Sequence, residues 1–133
     1  MSPVYVDSSA LVKLIVREPE TDALRQYLTS AGPLTSSILA TVEVSRAGAR
    51  AAPESTAEMV AVFEALSVLA FDARSAARAA ALSPAGLRTL DAIHLATALE
   101  LAGDLTAFVS YDDRLCAAAR DLGLPVVAPI GDF

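Results

Sequence analysis

Four acidic residues stand where an ordinary solvated charge is out of place. Asp7 follows the strand-like run Pro3–Val6 and precedes an apolar helical pattern at Leu11, Val12 and Ile15. Glu43 lies within ILATVEV, Asp91 within LRTLDAIHLATAL, and Asp112 between AFVS and another helical stretch. Charges are seldom set on such apolar faces without a partner, because burying an unpaired one is costly. If the four converge, any two about 4 Å apart repel by about 4 kcal/mol at an effective dielectric near 20. Such a cluster needs cations or protons. Hard oxygen ligands without a His or Cys shell favour Mg²⁺ or Mn²⁺ over zinc. Ions of that kind activate water and stabilise charge on a phosphoryl group, which is the logic of two-metal sites. The hydroxyls of Ser9 and Ser110 are natural supporting groups for the acids.

Plainer readings stand beside this one. Asp7 sits at a standard helix N-cap position, although Ser8 or Ser9 could cap in its place. Asp112 has the same ambiguity, and Asp113 beside it can play either part. Surface ion pairs would explain Glu43 and Asp91, but their surroundings are too apolar to suit that. His94, one turn after Asp91, reads as a structural histidine on an apolar helix face, and Cys116 as a small buried hydrophobe. The bases are placed suggestively. Arg46 and Arg50 follow Glu43 by three and seven, Arg88 precedes Asp91 by three, and Arg114 follows Asp112 by two. Lys13 is on the helix that Asp7 opens. These residues either hold a polyanion while its scissile phosphate meets the metal, or are solvated and paired to the acids.

The elements that must position these groups alternate. Strands are expected at Pro3–Val6, Leu34–Ser36, Ser67–Phe71, Leu105–Val109 and Pro125–Val127. Helices are expected from Ser8 to Arg17, from Thr21, from Ser37 to Arg50, from Pro53 to Leu66, from Ala73 to Leu82 behind the cap Asp72, from Leu87 to Leu101, and from Asp112 to Leu122. Alternation of this kind argues a parallel α/β sheet, whose ligand crevice lies outside the carboxyl ends of its strands.

At 133 residues the chain is expected to form one domain, residues 1–133. Apolar residues make up 54% and mean hydropathy is +0.49, much of it alanine. No run of about 18 apolar residues occurs, so no spanning helix is expected, and MSPVYVD shows no signal peptide. A single cysteine cannot form an internal disulfide, and a cytoplasmic protein is expected. Net charge is −6, the wrong sign for gripping nucleic acid by bulk charge. Nine of the ten bases are arginine, however, which binds phosphate in a bidentate way.

VYVDSSALVKL, SSILATVEVSRA, LRTLDAIHLATAL and FVSYDDRLCAAARDLGLPV occur in that order along the chain. Together they resemble a PIN-domain ribonuclease, and within that group a VapC-type toxin. The resemblance implies a three-layer α/β/α fold with a five-stranded parallel sheet. It implies an acidic catalytic and metal site at Asp7, Glu43, Asp91 and Asp112, with Ser9 and Ser110 beside it and Mg²⁺ or Mn²⁺ as cofactor. It further implies an RNA substrate in tRNA or ribosomal RNA loops, a homodimer, and neutralisation by a VapB-type antitoxin. Lys13, Arg46, Arg50, Arg88 and Arg114 are then candidate RNA contacts. The alternatives are a PIN nuclease of RNA maturation and a PIN-fold binding module without catalysis. A dehalogenase-type phosphatase would want an acid where Ser9 stands. A receiver domain would want a late lysine, and Lys13 is early and alone.

Overall fold

The computed structural model describes residues 2–131. Five strands form one sheet in the order β3-β2-β1-β4-β5, and every neighbouring pair is parallel. They are β1 (Val4–Val6), β2 (Leu34–Ser37), β3 (Leu66–Leu69), β4 (Ala107–Val109) and β5 (Val126–Val127). Seven helices connect them: α1 (Ser8–Lys13), α2 (Thr21–Thr29), α3 (Ile38–Ala51), α4 (Thr56–Ala65), α5 (Ala73–Ala80), α6 (Thr89–Leu99) and α7 (Asp113–Asp121). None of them is long and apolar enough to cross a membrane. The expected α/β fold with a five-stranded parallel sheet is what the chain adopts.

Strand alternation divides the core into two layers. Val4, Val6, Ala107 and Val109 face one side, where Ala10, Leu11, Leu24, Ala40 and Val44 of α1, α2 and α3 cover them. Tyr5 and Phe108 face the other side, against Leu95 and Ala98 of α6 and Leu115 and Ala119 of α7. The Tyr5 and Phe108 rings stack with centroids 5.2 Å apart. The central strands β1 and β4 are buried throughout, as strands covered on both faces must be, whereas β3 at the edge is half open. After β1 the chain builds outward through β2 to β3, then returns to the other side of β1 for β4 and β5. The reversal places the crevice at the carboxyl ends of β1 and β4.

Several boundaries differ from the sequence expectation. The first helix ends at Lys13 rather than Arg17, because the chain turns back there: Thr21 Oγ1 donates to the Lys13 carbonyl at 2.7 Å and accepts from the Glu18 N–H at 2.9 Å. Pro53 lies ahead of α4, not in its first turn, and Ser55 is the N-cap. Asp72 caps α5 as expected, accepting from the Ser75 N–H. The tail from Pro129 to Gly131 is irregular.

Thr21 is fully buried, so Thr21→Val keeps its shape while stranding a carbonyl and an N–H. We expect a loss of about 1–2 kcal/mol, read as a lower urea midpoint with unchanged slope.

Candidate active site

The crevice is a cavity of about 350 Å³, and Asp7, Glu43, Asp91 and Asp112 all line it, with Ser8, Ser9, Arg88 and His94 among its walls. Each acid comes from a different place. Asp7 ends β1, Glu43 is in the second turn of α3, Asp91 in the first turn of α6, and Asp112 caps α7. Asp113 is exposed in the first turn of α7 and is not part of the cavity wall, so Asp112 is the acid of this pair that faces the crevice.

Asp7 is both a cap and a cavity residue. It is 2% exposed, and its Oδ1 accepts from the Ala10 N–H at 3.0 Å. Ser9 Oγ reaches both of its oxygens, at 2.7 and 2.9 Å, and Ser110 Oγ donates to Oδ2 at 2.7 Å. Ser8 and Ser9 therefore do not take over the cap, and the two sequence alternatives merge. The same serines tie the loops together. Ser9 Oγ accepts from the Tyr111 N–H at 3.0 Å, and Ser110 Oγ from the Asp112 N–H at 3.1 Å. Burial pushes the Asp7 carboxyl above its ordinary range, and the bonds from Ser110, Ser9 and Ala10 only partly oppose this.

Arg88 joins two of the other acids. Its Nε donates to Asp91 Oδ2 and its NH2 group to Asp112 Oδ2, each at 2.8 Å. The side chain of Arg88 is about half exposed, while that of Asp91 is almost closed off, at 11%. Partial burial works against ionisation of Asp112, but the Leu115 N–H and the Arg88 guanidinium outweigh it and hold the carboxyl below the usual range. Glu43 has its own partner. His94 Nε2 lies 2.9 Å from Glu43 Oε1, and Tyr5 Oη lies 2.6 Å from His94 Nδ1.

The remaining candidate bases divide. Arg46 and Arg50 are exposed and line a groove of about 600 Å³ along α3, floored by Val12, Leu39, Val42 and Leu90. That groove shares Ser8, Ser9, Glu43 and Leu90 with the acidic cavity. Arg114 is exposed beside a shallower hollow that also includes Arg88 and Asp91. Lys13 departs from the sequence expectation. It is 9% exposed, its Nζ is bonded to Glu18 at 2.6 Å and Glu20 at 3.0 Å, and it lies over the Tyr111 ring. The turn after α1 brings those two glutamates onto it, so its ammonium is paired within the fold.

The donor set suits a hard divalent ion: carboxylate oxygens with hydroxyls behind them and no thiolate. As the side chains stand, no three acidic, His or Cys groups among the described residues are gathered tightly enough to share one ion. The reason is visible in the partners. Arg88 holds Asp91 and Asp112, His94 holds Glu43, and the serines hold Asp7.

The PIN domain family model matches residues 4–121. Ribonuclease VapC46 of Mycobacterium tuberculosis is 48% identical over 129 residues, covering 97% of this chain and 99% of that protein. Ribonuclease VapC47 of the same species is 39% identical over 131 residues, 95% of this chain and 96% of the other. Two solved structures share the fold, each with a TM-score of 0.72. One is VapC20 of M. tuberculosis, described as a sarcin–ricin loop cleaving toxin, at 17% identity over 95% of this chain and 99% of that one. The other is a toxin–antitoxin complex from Klebsiella pneumoniae, at 23% identity over 97% and 99%.

The buried acid carries a stability consequence of definite sign. Native Asp7 keeps its proton to higher pH than the unfolded chain does. Its stabilising contribution is therefore full below the ordinary carboxyl value of 3.8 and is lost as pH rises through the raised native value. Asn caps as well as Asp and carries no charge. In EDTA at neutral pH, Asp7→Asn should melt above the parent, and the gap should close as the solution is acidified below that value. Thermal scans across pH read both.

Proposed function

Because the chain belongs to the PIN domain family, with VapC ribonucleases among its relatives, we propose that it is a VapC-type toxin: an Mg²⁺- or Mn²⁺-dependent endoribonuclease. It hydrolyses phosphodiester bonds in RNA, in loops of tRNA or ribosomal RNA, within the cytoplasm. The observation that carries this reading is the single cavity lined by Asp7, Glu43, Asp91 and Asp112, drawn from four separate elements. Four carboxylates on one small cavity suit cation binding far better than they suit stability.

In this reading the four acids hold the ion. A Mg²⁺ or Mn²⁺ ion bound there supplies Lewis acidity for a phosphoryl oxygen and a lower pKa for an attacking water. Everything else is done by the protein. Ser9 and Ser110 fix the Asp7 carboxylate, which Ala10 N–H also anchors. Arg88 compensates Asp91 and Asp112, a role that an ion held by those carboxylates would take over. Its half-exposed guanidinium is then available to a phosphate, which its fork of donors fits. Arg46, Arg50 and Arg114 extend a basic rim on either side for the neighbouring phosphates, which position the strand without reading its sequence. Splayed, single-stranded bases suit such an open crevice better than a duplex.

A VapB-type antitoxin is the partner. The apolar groove along α3 supports this, since any segment filling it also closes over Glu43. A homodimer completes the reading. It is supported by α4, which has no buried residue, and by exposed Val60 on that helix and Val68 on the edge strand.

Purified protein incubated with total cellular RNA should yield discrete fragments with Mg²⁺ or Mn²⁺ and none with EDTA. Asp7→Asn and Asp91→Asn should each lower the rate by about 10²-fold or more while the fold is retained by circular dichroism. Mutants that cut as fast as the parent would refute the acidic site. A second expectation follows from the rim. Arg46→Ala with Arg50→Ala should weaken RNA binding and flatten its salt dependence by about one phosphate contact each, read by titration at several salt concentrations.

A further inference from the structure

His94 is the chain's single histidine, and its ring is 2% exposed at the inner wall of the acidic cavity. Three elements meet on it. Tyr5 of β1 reaches Nδ1 at 2.6 Å, Glu43 of α3 reaches Nε2 at 2.9 Å, and Ser8 of α1 lies 3.4 Å from the same nitrogen. An ionised carboxylate can only accept, so Nε2 carries the proton that points at Glu43. Nδ1 is then the acceptor for the Tyr5 hydroxyl. The Tyr5 ring is itself stacked on Phe108 and edge-on to the imidazole.

The line Tyr5–His94–Glu43 therefore runs from the fully buried middle of the sheet to the one cavity acid that stands mid-helix, in α3. The other three have direct support from a cap, a helix first turn or Arg88. Glu43 has a longer and freer side chain, 27% exposed. His94 binds its Oε1, Oε2 has no protein partner among the described residues, and Glu43 lines the cavity.

We propose that His94, anchored by Tyr5, is the positioning residue for Glu43, fixing its carboxylate so that the free oxygen is presented to the divalent ion. His94 is not a ligand or a general base in this arrangement, since both ring nitrogens are occupied. This rests on the reading of Glu43 as one of the metal-holding acids. Outer hydrogen bonds of this kind typically change metal affinity by 10- to 100-fold.

The test measures Mn²⁺ affinity of the full-length protein by electron paramagnetic resonance of free Mn²⁺, with no RNA present. The variants are Glu43→Gln, His94→Leu, His94→Gln and Tyr5→Phe, each with its melting temperature. Glutamine can place an amide N–H where Nε2–H stands, whereas leucine fills the space without a donor. The expected result is about tenfold or greater weakening in His94→Leu, recovery of most of it in His94→Gln, and intermediate weakening in Tyr5→Phe. Tyr5→Phe removes one hydroxyl and keeps the stack, so it carries the test if His94→Leu folds poorly. If Glu43→Gln weakens binding while Tyr5→Phe and His94→Leu bind as the parent does, the positioning role is overturned and the acidic site stands. Equal weakening by leucine and glutamine overturns it too, because volume alone would then matter. If Glu43→Gln binds Mn²⁺ as the parent does, Glu43 is no ligand, and the proposal falls with that reading.

Discussion

Burying four carboxylates around one small cavity is the constraint around which this protein is arranged. Charges in a partly buried crevice cannot be left bare. Each acid here is given a different compensation. Asp7 is wrapped in hydroxyl and amide donors, Asp91 and Asp112 share one guanidinium, and Glu43 is held by an imidazole. The differences follow from burial. The deepest acid gets short neutral donors that need no second buried charge. Asp91, almost closed off, and the more open Asp112 share a long cation that reaches in from solvent.

The scaffold makes this possible through its two central strands. β1 and β4 lie side by side in the sheet, and their carboxyl ends supply Asp7 and Ser110 to one another. Ser110 then passes its other capacity to the Asp112 N–H, so the start of α7 is registered against the end of β1. Ser9 makes the matching link from α1 to Tyr111. Two small hydroxyls thus lock two helix starts and two strand ends, without the bulk that would fill the cavity.

Much of this was legible in the sequence because it is local. Alternating short β-branched runs and alanine-rich helical stretches gave the parallel sheet, and charges inside apolar patterns marked Glu43 and Asp91. What escaped was set by distant residues. Asp7 could not be divided between cap and site from sequence, since both roles use the same carboxylate. Lys13 seemed free because Glu18 and Glu20 reach it only after the chain turns at Thr21. His94 looked like a bland core residue because its partners lie 89 and 51 positions away, on β1 and α3. Arg88 was seen three residues from Asp91, yet its bond to Asp112 spans 24 positions.

The strand order has a consequence for biosynthesis. β4 is fourth to be made but occupies a place beside β1, and Asp112 lies just after it. A growing chain that has already released Asp7, Glu43 and Asp91 still lacks the neighbour that pins the first of them and the arginine's second partner. No N-terminal fragment that ends before Asp112 contains the assembled crevice. The crevice is therefore closed last, by the stretch that carries Ser110 and Asp112, although its first acid is among the first residues made.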